Sequence, residues 1–342
     1  MTLQIARPAG VAGQFVTLDR SVLATSPGAR STETHLELSL RSSRGGLHVV
    51  TLPEGAELES LAISGRAQPL RQDGRRVTLT LAPGVQIVSL AWREPRGIGV
   101  LFRTPAVDVG LAGVNAQVGL QLLDRWTLAV GGPRMGPAVL FWSLFVVILL
   151  LAWGLARLKV TPLSVLQWAL LGVGLSQLPL VAAAVVAAWL ILLGLRRRAA
   201  ESGRAPSPFL FDLYQLLLVA WTIAAIGILF WGVQQGLLGE PEMQIEGNGS
   251  TANLLTWYAD RSAPVLPVAW ALSVPLFVYR LAMLAWALWL ALALLSWLRW
   301  GWESLTLGGG WRPLLRKRQP QAAAAPPAPP AATAPPSSEP LP

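Results

Sequence analysis

Cysteine is missing altogether from the 342 residues, which excludes disulfides, thiolate metal sites and cysteine nucleophiles. Histidine is nearly missing too. His35 and His48 are the only two, and without clustered carboxylates they make a poor metal site even if they pair across strands. Charge is scarce at 13% of residues, against about 25% in soluble domains. No His-Glu-x-x-His, phosphate-binding glycine loop or nucleophile elbow occurs. The chain therefore reads as one that is not an enzyme, with no catalytic residue, no metal and no cofactor. Lysine is rare as well, Lys159 and Lys317 being the only two among 27 basic residues. The net charge of +9 reads as arginine bias plus a cytoplasmic cation excess. It does not read as nucleic-acid binding, because no arginine cluster is interleaved with stacking aromatics.

What is abundant is apolar. Hydrophobic residues make up 53%, and they dominate from Pro137 to Trp300. Pro137–Leu155 (PAVLFWSLFVVILLLAWGL) carries no charge, and about 20 such residues cross a bilayer as a helix. The lipid bilayer is thus the first partner that the sequence implies.

Residues 1–132 have another rhythm. His35–Leu40, Leu47–Leu52, Val77–Leu81, Val85–Trp92, Gly99–Phe102, Val118–Leu122 and Trp126–Val130 alternate apolar and polar side chains, as strands with one buried face do. Pro53-Glu54-Gly55, Gln72-Asp73-Gly74 and Pro83-Gly84 supply turns. The expected fold is an N-terminal all-β, antiparallel sandwich-like domain followed by an α-helical transmembrane bundle.

Leu163–Leu195 decides how many helices cross. As one helix it would be about 50 Å long against a core of about 30 Å. Its middle, Gly172-Val173-Gly174-Leu175-Ser176-Gln177-Leu178-Pro179, holds a helix-breaking proline. The preferred reading is a hairpin, giving five spans at 137–157, 163–176, 178–195, 211–233 and 276–298 within a membrane domain of residues 137–302; a single kinked helix gives four. Residues 235–264 form an external loop, in which Met243–Glu246 and Leu254–Tyr258 suggest a small hairpin about Gly247-Asn248-Gly249. In Leu266–Leu298, an interfacial segment up to Pro275 precedes the last span. Residues 303–342 form a tail, disordered from about residue 319. Arg196–Arg198, Arg204, Arg312, Arg316, Lys317 and Arg318 belong in the cytoplasm by the positive-inside rule, and the acidic loop outside. Five spans put the β-domain in the periplasm; four put it in the cytoplasm. Met1–Gly28 has no signal-peptide pattern, so the five-span reading expects an export signal further upstream.

Ionisable residues in membrane spans are functional candidates because burying them is costly. Asp212, with Gln215 beside it, and Arg280 are the intramembrane polar or anchoring residues singled out, near opposite faces.

Trp168–Pro179 (WALLGVGLSQLP), Gln234–Ser250 (QQGLLGEPEMQIEGNGS) and Ser273–Trp302 resemble the C-terminal end of large, uncharacterised envelope proteins of Gram-negative bacteria. That resemblance carries no established activity and implies that related chains extend further upstream. The functional expectation is an inner-membrane anchor or scaffold presenting its β-domain to other envelope proteins. The alternative is a transporter or channel component using broken helices at Gly172–Pro179 and Pro275.

Overall fold

The computed structural model describes residues 15–202, 208–307 and 309. Arg204, Arg312, Arg316, Lys317, Arg318 and the disorder expected from about residue 319 lie outside the described residues. The first half is β-rich. Its strands are β1 (Val16–Pro27), β2 (Thr32–Ser42), β3 (Gly46–Thr51), β4 (Glu57–Ile63), β5 (Arg66–Ala67), β6 (Gln72–Asp73), β7 (Arg76–Leu81), β8 (Gly84–Glu94), β9 (Leu101–Arg103), β10 (Gly113–Gln121) and β11 (Arg125–Gly131). A short β12 (Ala138–Val139) leads to the helices α1 (Phe141–Arg157), α2 (Val165–Leu175), α3 (Leu180–Glu201) and α4 (Pro208–Leu238). Then come β13 (Ile245–Glu246), β14 (Leu254–Ser262), β15 (Trp270–Pro275) and the final helix α5 (Leu276–Thr306).

Period-two burial holds the strands in register. Along β2, Leu36, Leu38 and Leu40 are buried while Glu33, His35, Glu37 and Arg41 face out, because successive side chains point to opposite faces. The largest sheet has the order β14-β10-β1-β2-β8-β4-β5, and a smaller one runs β3-β7-β6. Leu23, Leu38 and Leu90 of the first and Val50, Val77 and Leu79 of the second join one apolar core.

Three expectations are corrected. The sheet is not purely antiparallel, since β1 and β10 run parallel, Leu23 opposite Val118. The long stretch of chain between them permits this, as a tight turn would not. Met243–Glu246 and Leu254–Tyr258 do not form a hairpin with each other: β13 pairs with β12, and β14 pairs with β10, Leu255 opposite Leu120. The segment before Pro275, expected as an interfacial segment, is a strand of the β-domain's sheets. β15 lies between β11 and β9 in a three-stranded sheet, where its backbone groups find the partners that an isolated segment would lack.

Three helices, Leu180–Glu201, Phe209–Leu238 and Leu276–Thr306, are long and apolar enough to cross a membrane. α1 and α2 are shorter apolar helices. Leu163–Leu195 folds as α2 and α3 around a turn at Ser176–Pro179, with Ser164 and Gln167 forming a capping box at the start of α2. Pro179 and Pro275 stand at the N-caps of α3 and α5, where a missing N–H costs nothing.

Contacts assign the helix ends to two sets. At one, Arg198 donates to the carbonyls of Leu158 and Lys159, and Arg196 to that of Leu307. At the other, the Gln177 side chain accepts from the Glu242 amide, beside the β-domain. α2 runs from the first set to the second. Close packing follows from small residues: a Cβ on Gly174 would overlap the Trp286 ring, and one on Gly194 the Val160 carbonyl.

Candidate functional site

The residues singled out from the sequence fall in two places. Gln215 is buried, and its Nε2 donates to the Leu305 carbonyl at 2.8 Å. Arg196, also buried, stacks 4.7 Å from the Phe211 ring while donating to Leu307. Both side chains thus serve carbonyls at the C-terminal end of α5, which have no partner within the helix and attract positive charge. Asp212 lies half-buried one turn before Gln215. Arg280 is exposed in the first turns of α5, at the β-domain end. Asp212 and Gln215 share one end; Arg280 is not brought to them. Arg196 is the residue that sequence reading placed only in a surface cluster. Its phase with Trp189 and Leu193 on the buried face of α3 is the signal for its burial.

A second polar assembly fastens the β-domain to α5. Arg125 of β11 donates from Nη2 to the carbonyls of Gly99 and Ser273, each at 2.7 Å, and from Nε to the Ser273 hydroxyl at 3.2 Å. Burial draws its guanidinium below the ordinary arginine range. Next to it, Trp126 meets Tyr279 edge-on at 5.3 Å and packs against both apolar cores. The Leu276 amide donates to the Asp124 carbonyl at 3.0 Å.

The third place is a cleft of about 450 Å³ in the β-domain, walled in part by Pro53, Pro95 and Pro105. Arg75, Arg96 and Arg103 line it, with Glu54 and Glu94. Glu94 follows Leu90 and Trp92 on the inward face of β8 and is only 4% exposed. One of its oxygens accepts from Trp92 Nε1 at 3.1 Å. Burial lifts the Glu94 carboxyl above its ordinary value, and the Trp92 hydrogen bond and the nearby Arg96 charge offset part of the rise. The Arg96 guanidinium lies 4.8 Å from the Phe102 ring and donates to the Arg103 carbonyl at 2.7 Å. Arg75 Nε donates to the Leu52 carbonyl at 2.9 Å. None of the five charged residues lining this cleft was singled out from the sequence as a site residue.

The histidines stand apart. His35 is exposed on β2; His48, in another sheet, lies with Nε2 2.8 Å from the Val109 carbonyl. They do not pair across strands. Among the described residues, no three His, Asp or Glu side chains group as a metal site.

Neither a protein-family model nor a curated protein matches the chain. Solved structures similar to part of it include an M1 zinc metallopeptidase from Deinococcus radiodurans, at 10% identity and TM-score 0.28 over 36% of each chain. Native leukotriene A4 hydrolase from Saccharomyces cerevisiae is another, at 8% identity and TM-score 0.27, covering 36% of this chain and 25% of that one. The chain thus spans about a third or less of the length of these structures. These neighbours are named as enzymes, and the expectation that the chain is not an enzyme is withdrawn beside them, while a likeness at TM-score 0.28 gives this chain no activity of its own. That expectation rested on missing sequence motifs, whereas a catalytic site is defined by geometry that strands distant in sequence can assemble. No residue role is carried over from these neighbours.

Proposed function

We propose that this is a multi-pass inner-membrane protein of the Gram-negative envelope, anchoring a sandwich-like β-domain that faces the periplasm and engages other envelope components. The observation that carries the reading is the origin of β14 and β15. Both arise between α4 and α5, yet they pair with β10, β11 and β9 from the N-terminal half. Strands that pair lie on one side of a membrane, so an even number of crossings separates β11 from β13. α1 to α4 as four passes satisfy this, and α5 makes a fifth pass in a helical bundle; the four-span reading would put the paired strands on opposite sides. Arg196, Arg197 and Arg198 lie at the helix ends away from the β-domain, and Glu240, Glu242 and Glu246 at the other, which supports cytoplasmic ends for α3 and α5. The likeness of Trp168–Pro179 to the ends of larger envelope proteins supports the same compartment.

Because the chain has no cysteine, single cysteines report accessibility cleanly. In intact spheroplasts, an impermeant thiol reagent should label Ser89→Cys on β8 and Ala263→Cys between β14 and β15, and spare Ser202→Cys after α3. Labelling of Ala263→Cys with protection of Ser89→Cys would overturn the reading, as would the reverse pattern at all three positions.

A further inference from the structure

We infer that the cleft bounded by Arg75, Arg96 and Arg103 binds a small, water-borne ligand carrying an oxyanion, a carboxylate or phosphate group. Its volume of about 450 Å³ falls in the range of about 300–1,000 Å³ typical of small-molecule sites. Three arginines line it from separate segments: the turn before β7, the chain after β8, and the end of β9. Among the described residues none of the three forms an ion pair, although Glu54 and Glu94 line the same space.

Two of the three are already oriented. Arg75 is held through Nε and Arg96 through Nη2 and the Phe102 ring, so ordering them costs little on binding. Their remaining N–H groups form the planar forks that carboxylate and phosphate accept in pairs. Glu94 adds specificity. With one oxygen engaged by Trp92, the buried carboxyl offers its remaining capacity to a hydroxyl or amine donor of the ligand.

Position separates a dissolved ligand from a lipid headgroup. Arg103 pairs with Trp270, six residues ahead of α5, and strands rise about 3.3 Å per residue. The cleft thus stands about 20 Å along β15 from the helix start, which favours a dissolved ligand over a headgroup at the bilayer surface.

The test is calorimetric titration of the full chain in neutral phosphatidylcholine nanodiscs, separately with inorganic phosphate and with succinate. At least one should saturate a single site, and Arg103→Gln or Arg96→Gln should weaken that binding about tenfold or more. Arg134→Gln, outside the cleft, should leave it unchanged. Arg103 is exposed and donates no side-chain hydrogen bond to a described residue, so its variant keeps the fold and remains informative if Arg96→Gln does not. Saturation by neither anion, equal weakening by Arg134→Gln, or binding seen only with anionic phosphatidylglycerol vesicles would each overturn the inference. The result is independent of which compartment the β-domain occupies, so it can fail while the topology stands.

Discussion

Outward-facing residues mean opposite things in the two halves of this molecule. On β2 they are Glu33, His35, Glu37 and Arg41; on α1 they are Trp142, Val146, Leu150 and Leu151. The strands bury an apolar core from water and gain transfer free energy of about 25 cal/mol per Å². In the membrane where we propose they sit, the helices would gain little from such transfer and would rely on packing and hydrogen bonds. This explains why glycines press against Trp286 and the Val160 carbonyl in the helical half, and why Trp189, Trp221 and Trp286 donate their indole N–H groups to neighbouring helices.

The sharpest way to break this comparison is one truncation made in both halves. Trp92 in β8 and Trp297 in α5 are both fully buried. Trp92→Ala should cost about 3–5 kcal/mol. Trp297→Ala should cost about half as much or less, because lipid supplies no hydrophobic penalty for the exposed surface. Pulse proteolysis in nanodiscs measures both, and equal losses would mean that the helical half is not lipid-embedded. Next in size is the fastening between the halves. Arg125→Ala removes three hydrogen bonds and should destabilise by about 1.5–3 kcal/mol, with hydrogen-exchange protection lost first in β15. Gly194→Val drives a side chain into the Val160 carbonyl and should cost about 1–3 kcal/mol, read as a lower thermal midpoint.

The smallest effect concerns pH. Glu94 titrates above its ordinary 4.5 when folded. It therefore contributes stability that is fully present below the unfolded value and is lost as pH rises through the folded one. Glu94→Gln keeps an acceptor for Trp92 and removes the burial cost of the charge. Its midpoint relative to wild type should rise as pH increases from below 4.5 through the raised folded value; an unchanged difference would refute the assigned shift.

Much of the β-half was legible, for definite reasons. His35–Leu40 and Val77–Leu81 alternate cleanly because their strands are regular and one-sided. β1 escaped notice because a bulge between Leu18 and Arg20 breaks its period, so that Leu18, Ser21 and Leu23 point inward. β15 was hidden by apolar neighbours that extend its hydrophobic run into α5, and β14 was given the wrong partner because its true one, β10, lies well over 100 residues upstream. The cleft was partly legible: Glu94 continues the inward phase of Leu90 and Trp92. Its arginines come from segments that no local pattern unites.

The order β11-β15-β9 also sets a timetable for synthesis. β9 and β11 do not pair with each other; both pair with β15. At ribosomal rates of about 5–20 residues per second, the roughly 140 residues from Gly131 to Pro275 take about 7–30 s. Throughout that interval β9, β10 and β11 have open edges, the kind of surface on which chains aggregate. The β-domain can therefore finish folding only after α1 to α4 have been made, and, in the membrane arrangement we propose, a failure to insert those helices would appear first as a misfolded β-domain.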